Sequence, residues 1–281
     1  MTYSNVLKRE LPNQRVSTFL AYAAYSQFRG AASGLLRHGR LRLVERTVER
    51  VRAGYDDGRS KIEIGSFDDF VIGNWPPDFA YVDGRLQFTD PNRATHARML
   101  GMLERVRRYA GDGAVVEIGC GTGRNLLYLA RQGVTNPLVG LELSPVSVDL
   151  ARRAAESFGH AIRYQECDIT RTLPEIGPVD VVLSVHAFEM MPRVFVDGLA
   201  NIANLRPKAA VFLEPIEELW PGMSLSCMLA RLRVRRLDRL RGFHKHAAAL
   251  GKVVEARFLG DAINPLNPTS VMVVEFGERR S

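Results

Sequence analysis

The stretch AVVEIGCGTGRNL, from Ala114 to Leu126, decides the fold of this chain. A largely apolar run ends in three glycines at alternate positions, Gly119, Gly121 and Gly123, and an amphipathic segment follows. This order predicts a strand, a tight turn in which a ligand approaches the main chain closely, and a helix. The glycine loop is therefore the first candidate binding site.

The spacing of the glycines argues against a dinucleotide. The dinucleotide fingerprint G-x-G-x-x-G needs its third glycine at position 124, where this chain has Arg124. The loop is also preceded by Glu117, a carboxylate that would repel a pyrophosphate but is well placed to meet an ammonium group. We therefore expect a ligand that carries positive charge.

Beyond the loop, short apolar runs alternate with amphipathic ones, which predicts a parallel sheet covered on both faces. The predicted strands are 114–118, 137–142, 161–164, 179–184 and 209–213, and the predicted helices are 123–132, 145–158 and 192–204. The C-terminal stretch ARFLGDAINPLNPTSVMVVEF indicates two further strands, paired antiparallel at one sheet edge. The fold class is α/β: a doubly wound, mostly parallel seven-stranded, Rossmann-like sheet with an antiparallel last strand and an N-terminal helical extension.

The pattern also divides the chain. Residues 1–95 are predicted to be an N-terminal helical or lid extension that binds a second ligand, called the acceptor below. This extension has a strand-and-loop part from about 61 and a hairpin at Asp83-Gly84. Residues 96–281 are predicted to be the ligand-binding domain, with a helix at Thr95–Arg108 and a helical insertion or cap at 216–250. Within the cap, Ser224–Leu240 is a predicted helix. Its apolar stripe is expected to pack against the protein while its arginines lie on the opposite face. Two alternatives stay open: a lid over the site, or a basic helix that contacts a membrane surface or an acidic partner. The stripe is Leu225, Met228, Leu229 and Leu232.

Two more acids end successive predicted strands. Glu142 closes the second strand, where a carboxylate can accept from both hydroxyls of a ribose. Asp168 follows the third strand, where it can accept from an adenine amino group. Together with Glu117, these carboxylates are expected to lie along one sheet edge.

Four stretches, VVEIGCGTGRNL, VGLELSPVSVDLARR, ECDIT and VDVVLSVHAFEMMP, resemble motifs I, post-I, II/III and IV of the class I S-adenosylmethionine-dependent methyltransferases. The resemblance spans about residues 97–215 and implies S-adenosyl-L-methionine as the cofactor. By this resemblance Glu142 holds the ribose, Leu143 packs on the adenine, and Asp168 with the Ile169 amide reads the adenine edge. The other implied cofactor residues, mostly at the methionine end, are Glu117, Gly119, Cys120, Gly121, Thr122, Gly123, Asn125 and Val185.

The catalytic candidates follow the fourth predicted strand. His186 is either the base or a residue that shapes the loop, and Glu189 is placed to orient it. Glu214, after the fifth strand, is expected to face the site and to contact the acceptor. Surface or turn roles are expected for His244, His246 and Asp261, and pocket walls or core packing for Trp75, Tyr81 and Trp220.

The acceptor is predicted from composition and from missing signatures. No aromatic-interleaved basic track of the single-strand-binding kind is visible, and SVHAF stands where methylation of bases or glutamine would favour Asn/Asp-Pro-Pro-aromatic. We expect methylation of a hydroxyl oxygen in a small, specialised metabolite, and we rank nitrogen and carbon acceptor atoms second. A nucleic-acid or protein methyltransferase, an NAD(P)-dependent oxidoreductase and a non-catalytic scaffold are the alternatives.

The bulk composition fits a cytoplasmic enzyme. The net charge is +7 and the 3 cysteines, Cys120, Cys167 and Cys227, are scattered, so neither a disulfide framework nor a metal site is expected. No signal-peptide h-region or long apolar stretch is present, so stable membrane insertion is not expected either. The predicted partner is a small-molecule acceptor rather than nucleic acid, and a homodimer stays open.

Overall fold

The computed structural model of the protein describes residues 56, 62–82, 85–191, 194–221, 225–236 and 240–277. Apart from Asp56, the predicted helices of residues 1–60 lie outside these ranges. In chain order, the described strands are β1 Asp78–Val82, β2 Arg85–Thr89, β3 Ala114–Ile118, β4 Leu138–Glu142, β5 Arg163–Glu166, β6 Val179–Val185, β7 Ala209–Glu214, β8 Lys252–Phe258 and β9 Ser270–Glu275. The α-helices are α1 Phe67–Val71, α2 Asn92–Tyr109, α3 Arg124–Arg131, α4 Pro145–Ser157, α5 Phe195–Leu205, α6 Leu225–Arg236 and α7 Phe243–Ala248.

A seven-stranded sheet forms the centre of the described chain, in the order β5-β4-β3-β6-β7-β9-β8. Strands β3 to β7 pair in parallel, and β9 pairs antiparallel with both β7 and β8. The predicted fold class is confirmed, including the antiparallel pair at one edge. The strand order reverses between β3 and β6, and in such sheets a ligand crevice opens beyond the carboxyl ends at that point.

Both faces of the sheet are covered, which explains the nearly continuous apolar strands. Every residue of β3 is buried, and one core joins the sheet to α2, α3 and α4 through residues such as Met99, Leu127 and Leu150. A second core joins the opposite face to α5 and α7 through Leu199 and Phe243. The two cores hold the strand ends, and hence the glycine loop, in fixed positions.

The segment before the sheet differs in one detail from the prediction. The β1–β2 hairpin forms as expected. The short helix α1, however, occupies a region predicted to be strand and loop; its N-cap Ser66 accepts a hydrogen bond from the Asp69 amide. A cap of this kind stabilises a short helix that hydrophobic periodicity does not reveal.

The packing predicted for α6 is wrong. Met228 and Leu232 of the expected packing stripe are 52% and 65% exposed, while Cys227, Ala230 and Val234 are buried. The buried residues pack on a cluster that contains Tyr81, Trp220 and Ala262. Leu229 of the expected stripe is partly buried against the cluster of Phe79 and Leu266, so, of the stripe side chains that the structure describes, only Met228 and Leu232 are left on the outer face.

Gly140 in β4 has no room for a side chain. A Cβ atom at this position would lie 2.5 Å from Cδ1 of Tyr164 and 2.6 Å from Sγ of Cys120. We expect Gly140→Ala to lower the free energy of unfolding by about 1–3 kcal/mol, because overpacking forces neighbours to move. Urea denaturation measures the effect.

Gly65→Ala is the matched control, since a Cβ at position 65 has no neighbour within 4 Å. Its stability should change by less than about 1 kcal/mol. Equal midpoints for the two variants and the wild type would contradict the close packing around Gly140.

Candidate functional site

A cavity of about 510 Å³ lies at the carboxyl ends of β3, β4, β5 and β6. Its volume is in the range usual for small-molecule sites. Residues that follow these four strands form one wall: Gly119, Cys120, Gly121, Thr122, Glu142, Leu143, Cys167, Asp168, Ile169, Val185 and His186. The remaining wall is built largely from residues near α1, α2 and the loop after β6, including Ile72, Trp75, Thr95, Arg98, Met190 and Met191.

The glycine loop passes very close to the loop after β6. Gly119 has a φ of +63°, and a Cβ atom there would stand 2.4 Å from Cβ of Ala187. Only glycine fits both the left-handed backbone and this close approach. The two loops therefore hold the cavity wall together without a side chain between them.

Glu142 is fixed at the cavity by backbone amides. Its Oε2 accepts from the Gly121 amide at 2.9 Å, and its Oε1 accepts from the Ser144 amide at 3.0 Å. Ser144 is the N-cap of α4, and its hydroxyl donates to Asp56. The predicted ribose-binding carboxylate is thus held in one orientation at the end of β4.

Asp168 also lines the cavity, as predicted. Its Oδ1 accepts from the amide of Thr170 at 3.0 Å and from the hydroxyl of the same residue at 2.7 Å. Its Oδ2 lies 3.4 Å from Nε of Arg171. These bonds hold the carboxylate in a turn beside Ile169, at the end of the cavity where the sequence predicts adenine.

Glu117 lies deeper than predicted. It is only 1% exposed, behind the glycine loop, and is not among the described residues that line the cavity. Its Oε1 accepts from Nδ2 of Asn125 at 2.6 Å, whereas its Oε2 is buried with no hydrogen-bond partner in the described part of the chain. The pKa of Glu117 is raised from 4.5 to about 8, chiefly by burial and also by the charge of Glu142, whereas the Asn125 hydrogen bond and the charge of Arg98 act to lower it.

Two cavity residues on α2, Thr95 and Arg98, were not predicted from the sequence. Thr95 Oγ1 and Arg98 Nε are buried and have no hydrogen-bond partner among the described residues. Burial, followed by the charge of Arg124, lowers the pKa of Arg98 to about 10. Residues three apart on a helix share a face, but no motif marks the face of α2 that a distant loop will cover.

Arg124, which stands where a dinucleotide loop has glycine, ties the loop to α1. Its Nε donates to the Phe70 carbonyl, and its guanidinium lies 5.9 Å from the centroid of the Phe70 ring. Arg124 also lines the cavity. The residue that excluded the dinucleotide motif therefore joins the loop to the segment that carries Trp75.

His186 lines the cavity, with Glu189 behind it. Nδ1 of His186 lies 3.0 Å from Oε1 of Glu189, and Nε2 lies 2.8 Å from Oγ1 of Thr269. Asn267 Nδ2 donates to both carboxylate oxygens of Glu189, at 2.9 and 3.1 Å. With Glu189 ionised, a neutral ring with its proton on Nδ1 satisfies both contacts, because Nδ1 then donates to the carboxylate and Nε2 accepts from the Thr269 hydroxyl.

Glu214 does not face the acceptor, contrary to the prediction. It is fully buried, and its Oε1 accepts from the Ser184 hydroxyl at 2.6 Å and from the amides of Ala187 at 2.9 Å and Phe188 at 3.1 Å. Desolvation is the main cause of its raised pKa. By accepting these hydrogen bonds, the carboxylate fixes the loop after β6 and thereby positions His186.

The weaker candidates separate clearly. Trp75 lines the cavity, whereas Tyr81 and Trp220 pack together in a separate buried cluster. His244 and His246 lie on α7, outside the cavity lining, and the exposed His246 ring contacts Phe195 at 5.8 Å. Asp261 lies in the loop between β8 and β9.

Neither a metal centre nor a membrane span is found in the part of the chain that the structure describes. The described side chains form no cluster of three or more histidine, cysteine or carboxylate ligands. No described helix is long and apolar enough to cross a bilayer.

Comparisons with known proteins agree with this geometry. Residues 115–207 match a family of methyltransferase domains. A release factor glutamine methyltransferase of Bacillus anthracis is 28% identical over 97 residues, which cover 34% of each chain. The chain spans no more than about a third of the length of the first curated relatives that it matches.

Solved structures support the fold. Magnesium protoporphyrin IX methyltransferase from Synechocystis PCC 6803, with bound S-adenosylhomocysteine, superposes with a TM-score of 0.56 at 11% identity. That alignment covers 82% of this chain and 100% of the other. The cyclase SpnF superposes with a TM-score of 0.55 at 14% identity, covering 83% of this chain and 98% of that one.

The matched segment, the sheet order and the glycine loop with its following acids agree on one assignment. Residues 115–207 are therefore assigned to a methyltransferase domain, on a fold shared with the methyltransferase that holds S-adenosylhomocysteine.

Proposed function

We propose that the protein transfers a methyl group from S-adenosylmethionine to a hydroxyl group of a small, largely apolar organic molecule. The observation that carries this proposal is the two-sided cavity. Its carboxylates and glycine loop lie on one side, and the other side is mostly apolar: Val71, Ile72, Trp75, Met190, Met191, Val194 and Ile263. Such a wall suits an apolar acceptor better than a peptide or a polynucleotide.

The residues present fit the cofactor. Three buried polar atoms near one end of the cavity have no partner among the described residues: Thr95 Oγ1, Arg98 Nε and Glu117 Oε2. Two donors and one acceptor of this kind match the carboxylate and ammonium groups of a zwitterionic amino acid. We assign Arg98 and Thr95 to the carboxylate and Glu117, behind Asn125, to the ammonium group.

The other end of the cavity supplies the remaining contacts. We propose that Glu142 accepts from the ribose hydroxyls, that Leu143 packs on the adenine, and that Asp168 and the Ile169 amide bind its edge. Gly119 and Gly121 let the main chain approach the ligand. The bound cofactor supplies a methyl group on a sulfonium, already activated for in-line displacement.

The protein contributes mainly by positioning. A fixed geometry between two reactants can supply roughly 7–11 kcal/mol of the barrier in favourable cases. A base is needed only where the acceptor loses a proton, and then adds about a hundredfold or more. We assign this role to His186, the imidazole among the described residues that lines the cavity. Its Nε2 bonds to the buried Thr269 hydroxyl, so the base acts once this bond is exchanged for one to the acceptor.

The alternatives have weaker support. Glutamine methylation, suggested by the Bacillus anthracis relative, lacks its usual sequence, because Ser184 to Phe188 read SVHAF after β6. The oxidoreductase is disfavoured by Arg124 and Glu117, as above. Because a cyclase shares the fold, methyl transfer itself needs a direct test.

The direct test uses S-adenosylmethionine labelled in its methyl group. The protein is incubated with it and with a panel of apolar phenols, alcohols, carboxylic acids and amines, and products are read by mass spectrometry. Label on a hydroxyl oxygen supports the proposal. Label only on nitrogen or carbon would show that the acceptor atom is not a hydroxyl oxygen. Failure of S-adenosylhomocysteine to bind in calorimetry would reject the proposed cofactor site.

Gly121→Arg should abolish cofactor binding. Gly121 lines the cavity, has a φ of +56° that disfavours a side chain, and donates its amide to Glu142. Calorimetry with S-adenosylhomocysteine should show no heat of binding. Gly133→Arg, at another left-handed glycine with no neighbour within 4 Å of its Cβ position, is the control for strain and added charge.

Cofactor binding should release a proton from Glu117. With a pKa of about 8 the free carboxyl is protonated at pH 7, and an ammonium group favours the ionised form. Affinity for S-adenosylhomocysteine should therefore rise from pH 6 towards 8, by up to about tenfold per pH unit, until the α-amino group of the ligand itself loses its proton near pH 8.

Calorimetry in buffers of different ionisation enthalpy measures how many protons are released when S-adenosylhomocysteine binds. Glu117→Gln, which has no titratable carboxyl, is the matched control variant. The variant should release none and should show an affinity that stays flat between pH 6 and 7. An identical pH profile in both proteins would remove Glu117 from the ammonium site.

His186→Ala should lower kcat by about a hundredfold or more while changing the affinity for S-adenosylhomocysteine only slightly. Thr269→Val, which removes the partner of Nε2 and leaves the ring in place, should retain activity. Turnover of the acceptor found in the labelling screen measures both variants. An unchanged rate in His186→Ala would assign this residue to loop structure alone.

A further inference from the structure

We infer that the outer face of α6 docks on an anionic lipid bilayer, as a peripheral contact separate from the catalytic site. Met228 and Leu232 lie one turn apart on this face and are 52% and 65% exposed. Surface apolar residues are common singly, but here two large ones stand together on a helix whose opposite face is already packed.

The inner face of α6 is fully engaged, which fixes the outward direction. Cys227, Ala230 and Val234 are buried in the cluster with Tyr81 and Trp220. The helix cannot rotate Met228 and Leu232 inward without exposing this cluster. The apolar outer face is therefore a stable feature of the fold.

Arginines hold the helix and give its surroundings their charge. Arg231 donates to the carbonyls of Trp220 and Pro221, and Nε of Arg235 lies 3.0 Å from Oε2 of Glu217. The Arg235 side chain is still 66% exposed. Along the sequence from Ser224 to Lys245, seven arginine or lysine residues stand against one acid, Asp238, while Glu217 and Glu218 contact this region from the preceding turn.

The exposed apolar residues and the positive charge together favour an anionic bilayer as the binding partner of this face. A helix with an apolar outer face and dense positive charge lies at the interface of an anionic membrane, with its apolar residues at the boundary of headgroups and acyl chains. The contact is peripheral, since no described helix can span a bilayer. A second copy of the chain would bring the same positive charges together, which opposes self-association through this face.

The docking face also lies near the cavity. Ala262, in the cluster under α6, pairs with Tyr81, and the next residue, Ile263, lines the cavity. A bilayer beneath α6 would bring a membrane-dissolved acceptor close to this wall. That consequence rests on the proposed function, whereas the docking itself does not.

Sedimentation with vesicles tests the docking, using the full-length protein and no acceptor. The protein should bind vesicles of phosphatidylcholine mixed with phosphatidylglycerol, should not bind phosphatidylcholine alone, and should lose affinity at high salt. Met228→Glu/Leu232→Glu should weaken binding by about tenfold or more. Leu100→Glu, at an exposed leucine on α2, is the matched control and should bind like the wild type.

A second pair tests the charge. Arg235→Gln should weaken binding, whereas Arg153→Gln, at an arginine 56% exposed in a comparable ion pair on α4, should not. An unchanged circular dichroism spectrum and thermal midpoint show that each variant is folded. The proposal is overturned by failure to bind anionic vesicles, by equal loss in Leu100→Glu, or by a wild-type dimer in sedimentation equilibrium that the double Glu variant dissociates.

Discussion

The site depends on the contact between the loops that follow β3 and β6. Gly119 and Ala187 meet with no space for another atom, so neither loop can move alone. Glu214 fixes the second loop from below by accepting from the Ala187 and Phe188 amides. This support explains how His186, a residue with a side chain, keeps a φ of +53°. The cavity wall is thus set by backbone geometry before any ligand binds.

Most of the fold was predictable because the decisive signals are local. A parallel strand buried on both faces reads as a continuous apolar run, and a glycine loop marks its end, so β3, β4, β6 and β7 were found close to their observed bounds. Glu142 and Asp168 were found for the same reason: the first ends a strand, and the second lies two residues beyond one. Topology then brings such residues to one edge, whatever their separation along the chain.

The parts that the sequence did not reveal depend on tertiary contacts. Thr95 and Arg98 lie in the first two turns of α2, and only the final packing of this helix brings them to the cavity. Glu214 follows a strand exactly as Glu142 does, yet its side chain is buried beneath the next loop. For α6, the larger apolar stripe gave the wrong face, because close approach to Tyr81 and Trp220 favours small residues.

The buried Glu117 indicates that this site is built at the expense of stability. An unpaired buried polar atom costs about 1–3 kcal/mol, and neither Glu117 Oε2 nor Arg98 Nε has a hydrogen-bond partner among the described residues. An apolar residue of similar size at either position would avoid that cost. Under the proposed assignment, a zwitterionic ligand that bonds both groups recovers this cost, so ligand binding and folding are coupled through the same two side chains. The glycine loop then admits the ligand, and the carboxyl behind it favours an ammonium group over a phosphate.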